Sequence, residues 1–186
     1  MNKILLAGLL LAALTGCKDE RETGVKPTNV IDVSAVADPN SFAQPEKVRI
    51  EHIDLDLGVD MDARVLRGSA LYRLQWLDER ASELVLDTRG IDIRTVQGLD
   101  GKKWRDLTFK LDDEDAMYGS ALRITMKQQL SQVRINYATR PEASGLQWLT
   151  PEMTASGQPF MFSQSQAIHA RSWVPLQDTP GVRFTY

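Results

Sequence analysis

The chain has 186 residues, 42% hydrophobic and 25% charged, the balance of a soluble globular domain with a core of its own. Its formal net charge is -3, and no stripe of Lys or Arg is interleaved with aromatic residues, so the charge pattern argues against a nucleic-acid partner.

The first segment is not read as fold. Lys3 supplies a short positive start, and Ile4 to Leu14 is an apolar run too short to cross a bilayer as a mature helix. It ends in Leu14-Thr15-Gly16-Cys17, a pattern that resembles a bacterial lipobox cut before Cys17. Residues 1–16 are then a lipoprotein signal peptide, and the Cys17 sulfur is the site of lipidation. Cys17 is the only cysteine, so no intrachain disulfide competes for it, and a free thiol would be unusual in an oxidising compartment. An ordinary secretory signal followed by a chance cysteine is the competing reading. Lys18, where an Asp would signal inner-membrane retention, implies the outer membrane, facing the periplasm, with attachment through the lipid on Cys17. Residues 17–45 hold Pro27, Pro39 and Pro45, few large apolar side chains and a mixed charge run from Lys18 to Glu22. Such a composition buries too little surface to offset the entropy of ordering, and it reads as a flexible tether.

Residues 46–186 form the body, and their dominant signal is alternation. Val48, Ile50, His52 and Asp54 share one face of the first run, with Glu51, Ile53, Leu55 and Leu57 on the other. Arg64 to Leu77 alternates in the same way, with Leu66, Gly68, Ala70, Tyr72, Leu74 and Trp76 on one side. Period two means strand, and Gly58-Val59-Asp60-Met61-Asp62 between the runs supplies turn chemistry, so the pair is expected to be an antiparallel hairpin. Further strands are expected near Glu83–Asp87, Ile91–Gln97, Leu107–Leu111, Ala121–Lys127 and Gln132–Thr139, separated by short polar or glycine-bearing turns. The acidic run Asp112 to Asp115 lacks the spaced ligands and the glycine of a calcium loop and reads as a solvated turn. The predicted class is all-β, a sheet or sandwich without internal repeats.

Three stretches near the end carry the most specific pattern: Gly145-Leu146-Gln147-Trp148, then Phe162-Ser163-Gln164-Ser165-Gln166-Ala167-Ile168-His169-Ala170-Arg171, then Val174-Pro175-Leu176-Gln177-Asp178-Thr179-Pro180. Together they resemble the N-terminal domain of the aminopeptidase N / leukotriene-A(4) hydrolase family of zinc metallopeptidases, closest to the hydrolase branch. Gly68-Ser69-Ala70, Leu86-Asp87-Thr88 and Asp92-Ile93 fit the same resemblance, which extends over roughly Val48 to Tyr186. It implies a large, curved, mostly antiparallel β-structure that packs against a zinc domain. The final segment, Gly181 to Tyr186, alternates as a strand and then stops, so the expectation is a truncated domain whose last strands are missing.

The resemblance also assigns roles. Family zinc ligands come from a helical His-Glu-x-x-His motif and a later Glu, two histidines one turn apart on one helix face. These 186 residues hold only His52 and His169 and no such motif, so no catalytic residue and no metal ligand is assigned, and zinc is expected in a separate catalytic domain. What the resemblance does assign is substrate binding by Gln164, Gln166 and Ala167. The residue matching Gln166 helps recognise a peptide's free N-terminus and lines the pocket for its first side chain, and an amide carbonyl can accept a hydrogen bond from an ammonium. Gln164 is expected to buttress that position. The bland reading is that both glutamines only satisfy backbone groups at a strand end. His169 reads as a packed or capping histidine, Arg171 and Asp178 as a pair holding the Pro175 turn, and Trp148 as core. Glu142 and Glu152 have no partner carboxylate for acid/base work.

Two functions remain open at this point. One is the N-terminal β-domain of a lipoprotein zinc aminopeptidase, binding a peptide N-terminus only together with a catalytic domain. The other is a freestanding periplasmic β-domain lipoprotein that acts as a binding or interaction module.

Overall fold

A computed structural model describes residues 37–186, and the predicted signal peptide, Cys17 and most of the predicted tether lie outside the described residues. Among the described residues ten strands follow one another: β1 (Val48–Asp60), β2 (Val65–Trp76), β3 (Glu83–Thr88), β4 (Ile91–Asp100), β5 (Lys103–Asp106), β6 (Thr108–Leu111), β7 (Ser120–Thr125), β8 (Gln132–Thr139), β9 (Leu146–Leu149) and β10 (Phe160–Ser163). They form a five-stranded sheet in the order β1-β2-β8-β4-β5, a three-stranded sheet β3-β7-β6, and the pair β10-β9. Every neighbouring pair is antiparallel. The all-β, mostly antiparallel class expected from the sequence is the class observed.

Alternation built the core. Val48, Ile50, Ala70, Tyr72, Val96, Val133 and Ile135 from the larger sheet and Leu84, Leu86, Leu122 and Ile124 from the smaller one are buried in one continuous apolar cluster. Each sheet hides one apolar face against the other, and that burial is the main term favouring the fold. Tyr72 places its hydroxyl within this cluster by donating to the Pro175 carbonyl at 2.7 Å.

The first strand departs from simple alternation. A bulge between Ile50 and His52 inserts one residue, which puts Ile53 on the same buried side as Val48 and Ile50. The sequence expectation had placed Ile53 opposite Ile50. The extra residue breaks period two, and nothing in an unaligned sequence marks where a bulge falls. The fully buried Gln177 side chain satisfies the backbone beside it: the Ile50 amide donates to Gln177 Oε1 at 2.9 Å, and Gln177 Nε2 donates to the Val48 carbonyl at 2.7 Å.

Strands β3, β4, β6, β7 and β8 fall where alternation predicted them. The short edge strand β5 was not anticipated, because Lys103–Asp106 is charged and exposed apart from a half-buried Trp104 and has no alternating apolar face. The segment from Gly181 to Tyr186, expected as a strand, meets β1 at a single parallel bridge between Thr185 and His52. Two backbone bonds make it, Ile53 to the Thr185 carbonyl at 3.0 Å and Thr185 to the Glu51 carbonyl at 3.1 Å. In β2, Gly68 lies where a Cβ would sit 2.0 Å from the Asp56 carbonyl oxygen, so β1 and β2 approach more closely there than any side chain allows.

Candidate functional site

The β9–β10 pair carries the candidate site. Its register runs from Phe160 opposite Leu149 to Ser163 opposite Leu146. A second apolar cluster of Leu66, Ala143 and Leu146, with Trp148, Met161 and Trp173 packed against it, fixes this pair to the body. Trp148 therefore packs against an apolar cluster, as the sequence suggested.

Strand β10 ends at Ser163 and the chain enters a turn through Gln164 to His169, then a single 3-10 turn, Ala170–Ser172. Gln164, Gln166 and Ala167 are all exposed on this turn, and Ser165 is half-buried. Four hydrogen bonds shape it. The Gln164 amide donates to the Gly145 carbonyl at 2.9 Å, and the Gln166 amide donates to Gln164 Oε1 at 3.0 Å. The His169 amide donates to the Ser165 carbonyl at 3.0 Å, and Trp173 Nε1 donates to Ser165 Oγ at 3.1 Å. None of these uses the Gln166 side-chain amide. The Gln166–Ala167 peptide is cis, and Ile168 has a φ of 55°. A β-branched residue in the left-handed region is rare and persists only where its surroundings hold it. The close packing behind the turn is tightest at Gly145, where a Cβ would lie 2.6 Å from the His169 carbonyl oxygen and 2.7 Å from the Trp173 ring.

A buried ionic cluster supports the turn from behind. The Arg171 side chain is fully buried. Its Nε donates to Asp178 Oδ2 at 2.9 Å, Nη1 to the Tyr118 carbonyl at 3.0 Å and Nη2 to the Asp178 carbonyl at 3.1 Å. The Arg171–Asp178 pair expected from the sequence is thus present. Asp87, also fully buried, accepts from the Ser41 hydroxyl at 2.6 Å, the Phe42 amide at 2.7 Å and the Asp178 amide at 2.9 Å. Burial pushes its carboxyl above the ordinary carboxylate range, opposed by the Ser41 and Phe42 hydrogen bonds and by the Arg171 charge. Ser41 and Phe42, near the end of the predicted tether, are therefore bound to the same carboxylate that flanks Arg171.

Two side chains at the site escaped the sequence reading. Arg89, in the β3–β4 turn, donates through Nη2 to Ser144 Oγ at 2.6 Å and to His169 Nδ1 at 2.9 Å. Ser144, between β8 and β9, also lies 2.9 Å from His169 Nδ1. They border a cavity of about 360 Å3 whose lining includes Arg140 and Glu142. A turn arginine and a loop serine carry no motif, so only the folded chain reveals that they meet. Among the described residues no group of three or more His, Cys, Asp or Glu is placed to hold a metal ion. His52 bonds instead to Thr185 and Asp54.

Residues 49–186 match the family described as the peptidase M1 N-terminal domain. Leukotriene A-4 hydrolase of Xenopus laevis is 41% identical over 157 residues, which cover 81% of this chain and 25% of that protein. Leucine aminopeptidase 2 of Chaetomium globosum is 36% identical over 162 residues, covering 83% of this chain and 26% of that protein. Among solved structures, native leukotriene A4 hydrolase from Saccharomyces cerevisiae aligns with a TM-score of 0.73 at 31% identity, over 80% of this chain and 24% of that one. The chain spans about a quarter of the length of the curated relatives it matches.

Proposed function

The chain belongs to the M1 peptidase family, whose N-terminal domain occupies residues 49–186, and on that premise we propose that this domain supplies one wall of a cleft that binds the free N-terminus of a peptide. Hydrolysis in this reading belongs to a zinc-bearing domain, because the 186 residues hold no His-Glu-x-x-His motif. Zinc would there polarise the scissile carbonyl and activate water. What this chain's own residues do is bind and orient.

The observation that carries the reading is the turn from Gln164 to Ala167, which is exposed yet held by hydrogen bonds from three directions. Its shape is fixed without the Gln166 side chain, so that amide is left to meet a ligand. A peptide ammonium donates to the Gln166 carbonyl oxygen, a hydrogen bond strengthened by the ligand's charge. Gln164 holds the Gln166 backbone in place through its own side-chain oxygen. The methyl group of Ala167 leaves room for the first side chain of the peptide.

We also propose that Cys17 carries the lipid that anchors the protein in the cell envelope, at the outer membrane facing the periplasm. The support is the Leu14-Thr15-Gly16-Cys17 sequence and the Lys18 that follows it.

The cleft reading is tested on a full-length M1 peptidase, inactivated at the glutamate of its His-Glu-x-x-His motif, whose N-terminal domain is isotope-labelled residues 46–186 of this chain, by titration with tri-alanine and, separately, with N-acetyl tri-alanine. The expected result is a shift of the Gln164, Gln166 and Ala167 backbone amides and the Gln166 side-chain amide with the free peptide only. Equal shifts with both peptides, or shifts confined to other surfaces, would contradict recognition of a free N-terminus and favour a general binding module.

A further inference from the structure

His169 ends the candidate peptide-binding turn and closes it, through its amide to Ser165 and through its carbonyl, which accepts from Ser172 Oγ at 2.7 Å. Its ring is held by a different part of the chain. A guanidinium can only donate, so the 2.9 Å contact from Arg89 Nη2 requires the lone pair on His169 Nδ1 and places the ring hydrogen on Nε2. Ser144 Oγ lies at 2.9 Å from the same nitrogen, and Arg89 Nη2 also donates to Ser144 at 2.6 Å. Arg89 is seated by its backbone, whose amide donates to the Arg171 carbonyl at 2.8 Å, and by Nη1, which donates to the Met117 carbonyl at 2.9 Å. One guanidinium thus joins the β6–β7 loop, the β8–β9 loop and the end of the turn.

We propose that Arg89 and Ser144, acting through the His169 ring, are positioning residues for the peptide N-terminus site formed by Gln164, Gln166 and Ala167. The arrangement has the features that role needs. Neither Arg89 nor Ser144 hydrogen-bonds to Gln166, and both converge on His169, the residue next to Ile168, whose left-handed backbone must be held from outside. Gly145 brings the β8–β9 loop into contact on the other side of the turn: its carbonyl accepts from the Gln164 amide at 2.9 Å, and its amide donates to Ser172 Oγ at 2.8 Å. The clamp and the site share a short stretch of chain, so a clamp that holds the His169 ring also holds the His169 backbone, whose amide donates to the Ser165 carbonyl next to Gln166. This proposal rests on the peptide-cleft reading.

The test uses the same inactivated full-length peptidase and two measurements, backbone order of Ser165 to Ile168 by nuclear relaxation and affinity for tri-alanine. His169→Phe and Arg89→Met are expected to loosen the turn and weaken tri-alanine binding by about fivefold, the loss of roughly one net hydrogen bond. His169→Asn, whose Oδ1 can stand where Nδ1 stood, is expected to keep both. Arg89→Met keeps the backbone seat and carries the test if His169→Phe fails to fold. Unchanged order and affinity in Arg89→Met would overturn the proposal, as would loss of turn order with affinity unchanged, or a folded His169→Asn chain as impaired as Arg89→Met. If the full-length peptidase with the wild-type domain does not bind tri-alanine, the cleft reading itself is overturned, and the positioning role falls with it.

Discussion

Arg171 Nη1 lies 3.9 Å from Asp87 Oδ1, and both side chains are shielded completely from solvent. The contact joins β3 to the 3-10 turn behind the candidate site, and Asp178 completes it at 2.9 Å from Arg171 Nε. Two carboxylates against one guanidinium, each further hydrogen-bonded, is the arrangement in which buried charge is tolerated.

Replacing Arg171 with Met keeps much of the volume but leaves Asp87 and Asp178 without their cation and the Tyr118 carbonyl without its donor. The expected loss of folding stability is about 3–5 kcal/mol, the usual cost of breaking a buried pair by removing one partner. Urea unfolding of both proteins measures it. A loss under about 1 kcal/mol would mean that the cluster is not the support described here.

The pH dependence has two opposite contributions. Burial raises the Asp87 carboxyl above its ordinary value, so in the window between the unfolded and the folded value the folded chain binds a proton that the unfolded chain has released. Its contribution is fully present below the unfolded value and is lost as pH rises through the higher folded one. Asp112 is held low, first by the Arg123 hydrogen bond at 2.6 Å and then by Lys110. Its contribution is present above the unfolded value and is lost as pH falls through the lower folded one. Urea midpoints followed across the acidic range are expected to lose part of their fall on acidification in Asp112→Asn. In Asp87→Asn they are expected to lose the fall on leaving acid. A pH profile unchanged in both variants would contradict the assignment.

The fold was legible because burial on one face writes itself as period two, as it does from Ala70 to Gln75 in β2 and from Gln132 to Tyr137 in β8. What stayed hidden was whatever broke or left that period. The bulge beside Ile50 reverses the face of Ile53, and β5 has no apolar face to announce it. At the candidate site, Gln164, Gln166 and Ala167 were visible as a contiguous motif. Arg89 and Ser144 were not, because they reach His169 from turns 80 and 25 residues away in sequence, and such contacts leave no local pattern.

Lipid attachment at Cys17 is tested by Cys17→Ser. The variant is expected to lose incorporation of labelled fatty acid and to leave the detergent phase, because the acyl chains supply the membrane affinity. A Cys17→Ser protein that still sediments with membranes after a high-salt wash would contradict the lipobox reading.

The central claim concerns Gln166, and kinetics test it most directly. In a full-length M1 peptidase whose N-terminal domain is residues 46–186 of this chain, Gln166→Ala is expected to lower kcat/KM by about tenfold or more, from the loss of one or two hydrogen bonds to an ammonium at ~1.5–3 kcal/mol each. Melting temperature is expected to hold, because the Gln166 side chain is exposed and takes no part in the hydrogen bonds that shape the turn. Gln166→Glu is expected to retain activity, since a carboxylate also accepts from the ammonium and adds a charge partner. An unchanged kcat/KM in Gln166→Ala together with a large fall in melting temperature would make Gln166 a purely structural residue and contradict the account.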